Sequence, residues 1–81
     1  MYSKDKIISY KGIFPDLEKN VFLASGSRVI GKVYIGSESS VWYNCVIRGD
    51  VNYIRIGKKT NIQDGSIIHV SSSGFSATGG K

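Results

Sequence analysis

The chain has one cysteine, one proline, one histidine and one tryptophan among its 81 residues. A lone thiol, Cys45, cannot close an internal disulfide and excludes metal sites built from several thiolates, and it fits a reducing compartment. One proline beside ten glycines excludes a proline-rich linker, and a charged share of 21% is too low for a disordered polyelectrolyte. No apolar run approaches the roughly 18 residues a membrane span needs. The leading MYSKDKIISYKG has neither the apolar stretch nor the small-residue cleavage site of a signal peptide. The sequence therefore predicts a cytoplasmic chain with no membrane partner.

Acidic residues are few, six against eleven basic ones, for a net charge of +5. The basic residues are dispersed, with Lys58-Lys59 the one adjacent pair. That is a solvated basic surface rather than a nucleic-acid-binding arm, and no nucleic-acid partner is expected. A chain this short buries a modest share of its surface, so a cap or a partner is expected to support it.

What the sequence does have is a period. Aliphatic residues recur every six positions at Leu23, Val29, Ile35, Val41 and Ile47, and again at Ile56, Ile62 and Ile68. Four residues after each stand Ser27, Val33, Ser39, Cys45 and Val51, then Thr60 and Ser66, all small or β-branched. One bulky and one small inward side chain per six residues describe a short strand and a corner, and three such units close a coil. The sequence thus predicts an all-β fold, a parallel β-helix of hexapeptide repeats, with Gly31, Gly36, Gly57 and Gly65 at corners. Cys45 falls in a small inward slot, where burial rather than reactivity is expected.

The period breaks between Ile47 and Ile56, where nine residues replace six. Three inserted residues are expected to leave the stack as a loop. Across the break Ile47 should lie on Ile68 and Val41 on Ile62, so Arg48 should adjoin His69 and Trp42 should adjoin Gln63. These four follow inward aliphatics and should point outward, toward another subunit. The domain organisation expected is a cap and leading strand over 1–22, coils over 23–70 and a polar Ser/Gly-rich tail over 71–81. The hexads stop after about two and a half coils, fewer than a stacked array ordinarily needs, which predicts a truncated piece of a longer reading frame.

The stretch SSVWYNCVIRGDVNYIRIGKKTNIQDGSIIHV, residues 39–70, resembles the gamma-class carbonic anhydrase family. RGDVNYIRIG followed by TNIQDGSIIH is far more restrictive than a generic hexapeptide repeat. With the preceding FLASGSRVIGKVYIG the resemblance extends over roughly residues 10 to 70. It implies a left-handed β-helix that assembles as a homotrimer, with zinc or a similar divalent metal held between subunits by three histidines from two chains. It implies His69 as one metal ligand, Asn61, Gln63 and Asp64 as catalytic residues that orient water and substrate, and Arg48, Asp50 and Trp42 at the subunit interface. The implied substrate is carbon dioxide, hydrated to bicarbonate by a metal-bound water whose pKa falls to about 7.

His69 is the only histidine in the chain, so two of the three ligands that the resemblance requires are absent. A lone imidazole has little affinity for metal without its partners. Val51 stands where active members of the family carry a glutamate implicated in proton transfer. The chain alone is therefore expected to be inactive. Asp64-Gly65 fits a plain corner as well as a site. Arg48-Gly49-Asp50 fits a charged turn rather than an adhesion tripeptide. The competing readings are a non-enzymatic β-helix that assembles with or binds other chains, and an acyltransferase fragment, which the residues around Gln63 and Asp64 disfavour.

Overall fold

The computed structural model of the chain describes residues 5–70 and the backbone of residues 75–77. The described residues form nine strands and no helix: β1 (Ile7–Ile8), β2 (Asp16–Leu17), β3 (Phe22–Leu23), β4 (Arg28–Ile35), β5 (Ser40–Val41), β6 (Val46–Ile56), β7 (Asn61–Ile62), β8 (Ile67–His69) and β9 (Phe75–Ala77). Apart from one local antiparallel bridge, Tyr10 to Ile13, every pairing is parallel. The chain is a β-solenoid of about three turns.

Its three faces follow from where the long strands bend. Residues 28–31 of β4 and 46–49 of β6 lie between β1 and β8 on the first face, while residues 33–35 and 54–56 of the same strands lie between β2 and β9 on the second. The third face is β3, β5 and β7. Between coils the backbone N–H and C=O groups pair, so each strand satisfies the next.

The six-residue period is the inward one. Val29, Ile35, Val41, Ile47 and Ile56 are fully buried, with Leu23 and Ile62 nearly so and Ile68 packed against them. Ser27, Ser39, Cys45 and Thr60 fill the small slots. The buried hydroxyls stay satisfied because they face the corners: Ser27 Oγ donates to the Ala24 carbonyl at 2.7 Å, and Ser39 Oγ and Thr60 Oγ1 both donate to that of Gly57 at 2.9 Å. A small polar residue therefore costs little inside this coil, since each hydroxyl finds a corner carbonyl to donate to.

The insertion sits where the first face turns into the second. Gly31 pairs with Gly49, 18 residues on, whereas Val33 pairs with Ile54, 21 residues on. Lys32 alone makes the corner in one coil, and residues 50–53 make it in the next. This corrects the expectation for Val51, which is 66% exposed, while Ile54 takes the inward slot at 1%. The extra residues enter before the small slot of the hexad rather than after it, so Val51 is carried out on the loop. The corner is tight: a Cβ on Gly31 would lie 2.6 Å from the Gly49 carbonyl oxygen, and one on Gly49 2.4 Å from that of Lys32.

The segment expected as a cap contributes a coil of its own. Ile7 pairs with Val29, Leu17 with Ile35 and Phe22 with Ser40. Its Ile7-to-Val29 offset of 22 residues hides the period; the surplus is spent on a turn at Lys11-Gly12, both with positive φ, closed by Tyr10 and Ile13. This turn leaves the stack at the same corner as residues 50–53. Within the polar tail the backbone of β9 continues the second face against β6; the rest of the tail lies outside the described residues.

The register predicts opposite outcomes at two nearby aliphatics. Ile54→Asp should cost at least about 3 kcal/mol in urea unfolding, because it buries a carboxylate without a partner, whereas Val51→Asp should shift stability by less than about 0.5 kcal/mol.

Candidate functional site

The residues singled out from sequence fall on two neighbouring parts of the surface. Asn61 begins β7 on the third face, and its pairing with Ser40 sets its outward direction. One step further along the same pair of strands, Trp42 donates its backbone N–H to the Ile62 carbonyl at 2.9 Å, which places Gln63 beside Trp42 as the register requires. Asn61 and Gln63, two residues apart on one strand line, therefore share a face. Both are exposed.

Beneath these amides is an aromatic and hydroxyl layer. Trp42, partly buried, packs against Phe22 with ring centroids 5.0 Å apart at 54°, and against Tyr43 at 6.1 Å. The Trp42 indole Nε1–H donates to Ser40 Oγ at 3.0 Å, and the Ser40 hydroxyl donates to Asn61 Oδ1. Gln63 and Asp64 stand on the corner between the third and first faces. That corner is tied inward by Cys45, whose thiol donates to the Gln63 carbonyl at 2.8 Å. Its backbone closes with the Ser66 N–H on the same carbonyl at 3.2 Å, and Gly65 takes a φ of +72°. Asp64 is exposed at this turn, a position that a corner residue and a site residue would equally hold.

His69 ends β8 on the first face and pairs with Arg48, as the 21-residue offset demands. Both are exposed. Arg48 Nε lies 3.3 Å from Asp50 Oδ2, and Asp50 Oδ1 accepts the Val51 N–H at 2.9 Å. Within one chain the arginine and aspartate thus pair with each other across the Gly49 corner, through one nitrogen rather than a two-pronged fork.

Among the described residues no group of three or more His, Cys, Asp or Glu side chains converges to hold a metal ion. His69 is one imidazole with a guanidinium as its ladder neighbour, and Cys45, the remaining soft donor, is buried and turned inward. A catalytic zinc takes three side-chain ligands and keeps a position open. The residues present supply one such ligand and do not by themselves fit the metal. Two recesses, of about 250 and 170 Å3, open on the corner of the long loops. The first lies between Phe14, Tyr34 and Tyr53, the second between Tyr10, Lys32 and Asp50. Neither is lined by Asn61, Gln63, Asp64 or His69.

Sequence reasoning missed Ser40, which connects Trp42 to Asn61. Its signal was available: Ser40 precedes Trp42 by two and Asn61 by 21, the offset that already stacked Val41 on Ile62.

No family model matches the chain. Over 62 residues it is 52% identical to gamma carbonic anhydrase 1, mitochondrial, of Arabidopsis thaliana, covering 76% of this chain and 22% of that protein. Over 65 residues it is 48% identical to a carbonic anhydrase of Geobacillus kaustophilus, covering 80% of this chain and 36% of that one. A crystal structure of a hexapeptide transferase family protein from Anaplasma phagocytophilum superposes with a TM-score of 0.76 at 41% identity, covering 78% of this chain and 38% of that one. The chain thus spans 22–38% of the length of these proteins.

Because Cys45 is fully buried and its thiol is engaged by the Gln63 carbonyl, it should resist Ellman's reagent in the native protein and react fully in about 6 M guanidinium chloride.

Proposed function

From the premise that this chain belongs to the gamma carbonic anhydrase-like family of hexapeptide-repeat β-solenoids, we propose that its coils furnish part of a shared site for carbon dioxide and bicarbonate. His69 gives one ligand to a zinc or similar divalent ion. Asn61, Gln63 and Asp64 orient water and substrate beside it. Arg48, Asp50 and Trp42 lie at the contact between subunits of a homotrimer.

The observation that supports this reading is the register across the insertion. It sets His69 against Arg48 and lines Asn61 and Gln63 along one face, so two sets of outward polar groups border the corner carrying Asp64. Were His69 joined by two further ligands around a zinc ion, the metal would supply the acidity that lets a water react near neutral pH. His69 is the one histidine of the sequence, so the remaining ligands would come from outside it, and this chain alone completes no metal site. Its own residues contribute one imidazole, two amides that donate and accept hydrogen bonds, and a carboxyl group.

The test is a transplant. The aligned segment of the Geobacillus kaustophilus carbonic anhydrase is replaced by the matching residues of this chain, and the chimera is measured for bound zinc, subunit number and carbon dioxide hydration. The expected chimera is a zinc-loaded trimer that hydrates carbon dioxide. His69→Ala should remove both metal and activity, and Gln63→Ala should lower turnover by about 10- to 100-fold while zinc is retained. A folded chimera in which His69→Ala changes neither metal content nor rate would contradict the reading and favour an assembly or binding role.

A further inference from the structure

The third face carries a directed chain of hydrogen bonds that ends on a site residue. An indole nitrogen has a proton to give and no lone pair to accept with, so the Trp42 Nε1–H can only donate, and it does so to Ser40 Oγ at 3.0 Å. The serine hydroxyl, having accepted there, directs its own proton to Asn61 Oδ1. That leaves the Asn61 Nδ2 group as the free end of the side chain, on an exposed residue. Phe22 packs at 5.0 Å on the Trp42 ring and holds the indole in the plane that the donation requires.

We infer that Trp42 and Ser40 are positioning residues for Asn61, fixing its amide so that Nδ2 is presented outward as a donor to an oxygen of a small oxyanion of the bicarbonate class. The inference rests on the reading of Asn61 as a substrate-orienting residue, and it adds what sets the polarity of that residue. Without the relay the amide turns freely and offers acceptor and donor by turns, and an acceptor facing an anion is repulsive. Ser40 must therefore keep a hydroxyl and Trp42 an N–H, while neither touches substrate. Cooperative chains of this kind strengthen each member by polarising the next.

The experiment uses the full chain labelled with nitrogen-15, followed by NMR. Two readouts are taken together: hydrogen exchange at the Trp42 Nε1–H, and titration of the Asn61 Nδ2 resonances with sodium bicarbonate against equal sodium chloride. In the unaltered chain the indole proton should be protected, and the Asn61 resonances should shift saturably with bicarbonate and not with chloride. Ser40→Ala should speed indole exchange by about tenfold and weaken the bicarbonate response about five- to tenfold, the effect expected of one lost hydrogen bond. Ser40→Thr, which keeps the hydroxyl, should restore both. Trp42→Phe should weaken the bicarbonate response to the same extent, and the thermal midpoint of each variant shows whether the loss is one of folding. An indole proton whose exchange ignores Ser40→Ala overturns the relay, and an Asn61 amide that ignores bicarbonate in the unaltered chain overturns its role as donor to the anion. The indole readout needs neither metal nor a second chain, so its failure is distinct from an inactive chimera, which counts against the reading of the site itself.

Discussion

Parallel hydrogen bonding between successive coils is the constraint on which the rest of this molecule depends. A strand of two residues, such as β3, β5 or β7, has almost no stability alone. It persists because its N–H and C=O groups are shared with equivalent groups one coil away, and because the aliphatic behind it stacks on the aliphatic of the next coil. Leu23, Val41 and Ile62 form one such column, and Val29, Ile47 and Ile68 another. Slipping any strand by one residue would turn its aliphatic outward and its polar neighbour inward, so the interior fixes the register.

The exterior inherits that register. Arg48 meets His69, and Asn61 meets Ser40, because Ile47 meets Ile68 and Val41 meets Ile62. No outward residue has to find its partner independently. The surplus residues at 10–13 and 50–53 leave at one corner, which lets the loops differ while the faces stay in step. Gly31 and Gly49 make the close approach of coils at that corner possible, and Asp50 is held there by Arg48 and by the Val51 N–H.

Much of this was legible in the sequence, for a physical reason. A hexad records which side chains face inward, and inward side chains determine stacking, so the fold and the pairing of Arg48 with His69 could be read by counting. The count fails where the backbone leaves the stack. A spacing of nine from Ile47 to Ile56 reveals that three residues are surplus but not where they bulge, and counting therefore puts Val51 inward where Ile54 belongs. The coil of Ile7, Leu17 and Leu23 was masked by its own Lys11-Gly12 turn. Outward residues keep the same offset but carry no hydrophobic mark, so nothing in the composition singles out Ser40 between Trp42 and Asn61. The rest of a metal site could not be read, because a single imidazole carries no information on what completes it.

The measurement that tests the central claim most directly is the pattern of interstrand nuclear Overhauser contacts in the isotopically labelled chain. The account predicts backbone contacts at an 18-residue offset below the insertion, as from Arg28 to Val46, and at a 21-residue offset above it, with Arg48 against His69 and Ser40 against Asn61. A uniform 18-residue offset, or contacts from Val51 rather than Ile54 to Val33, would contradict it and would disperse the residues that the proposed site brings together.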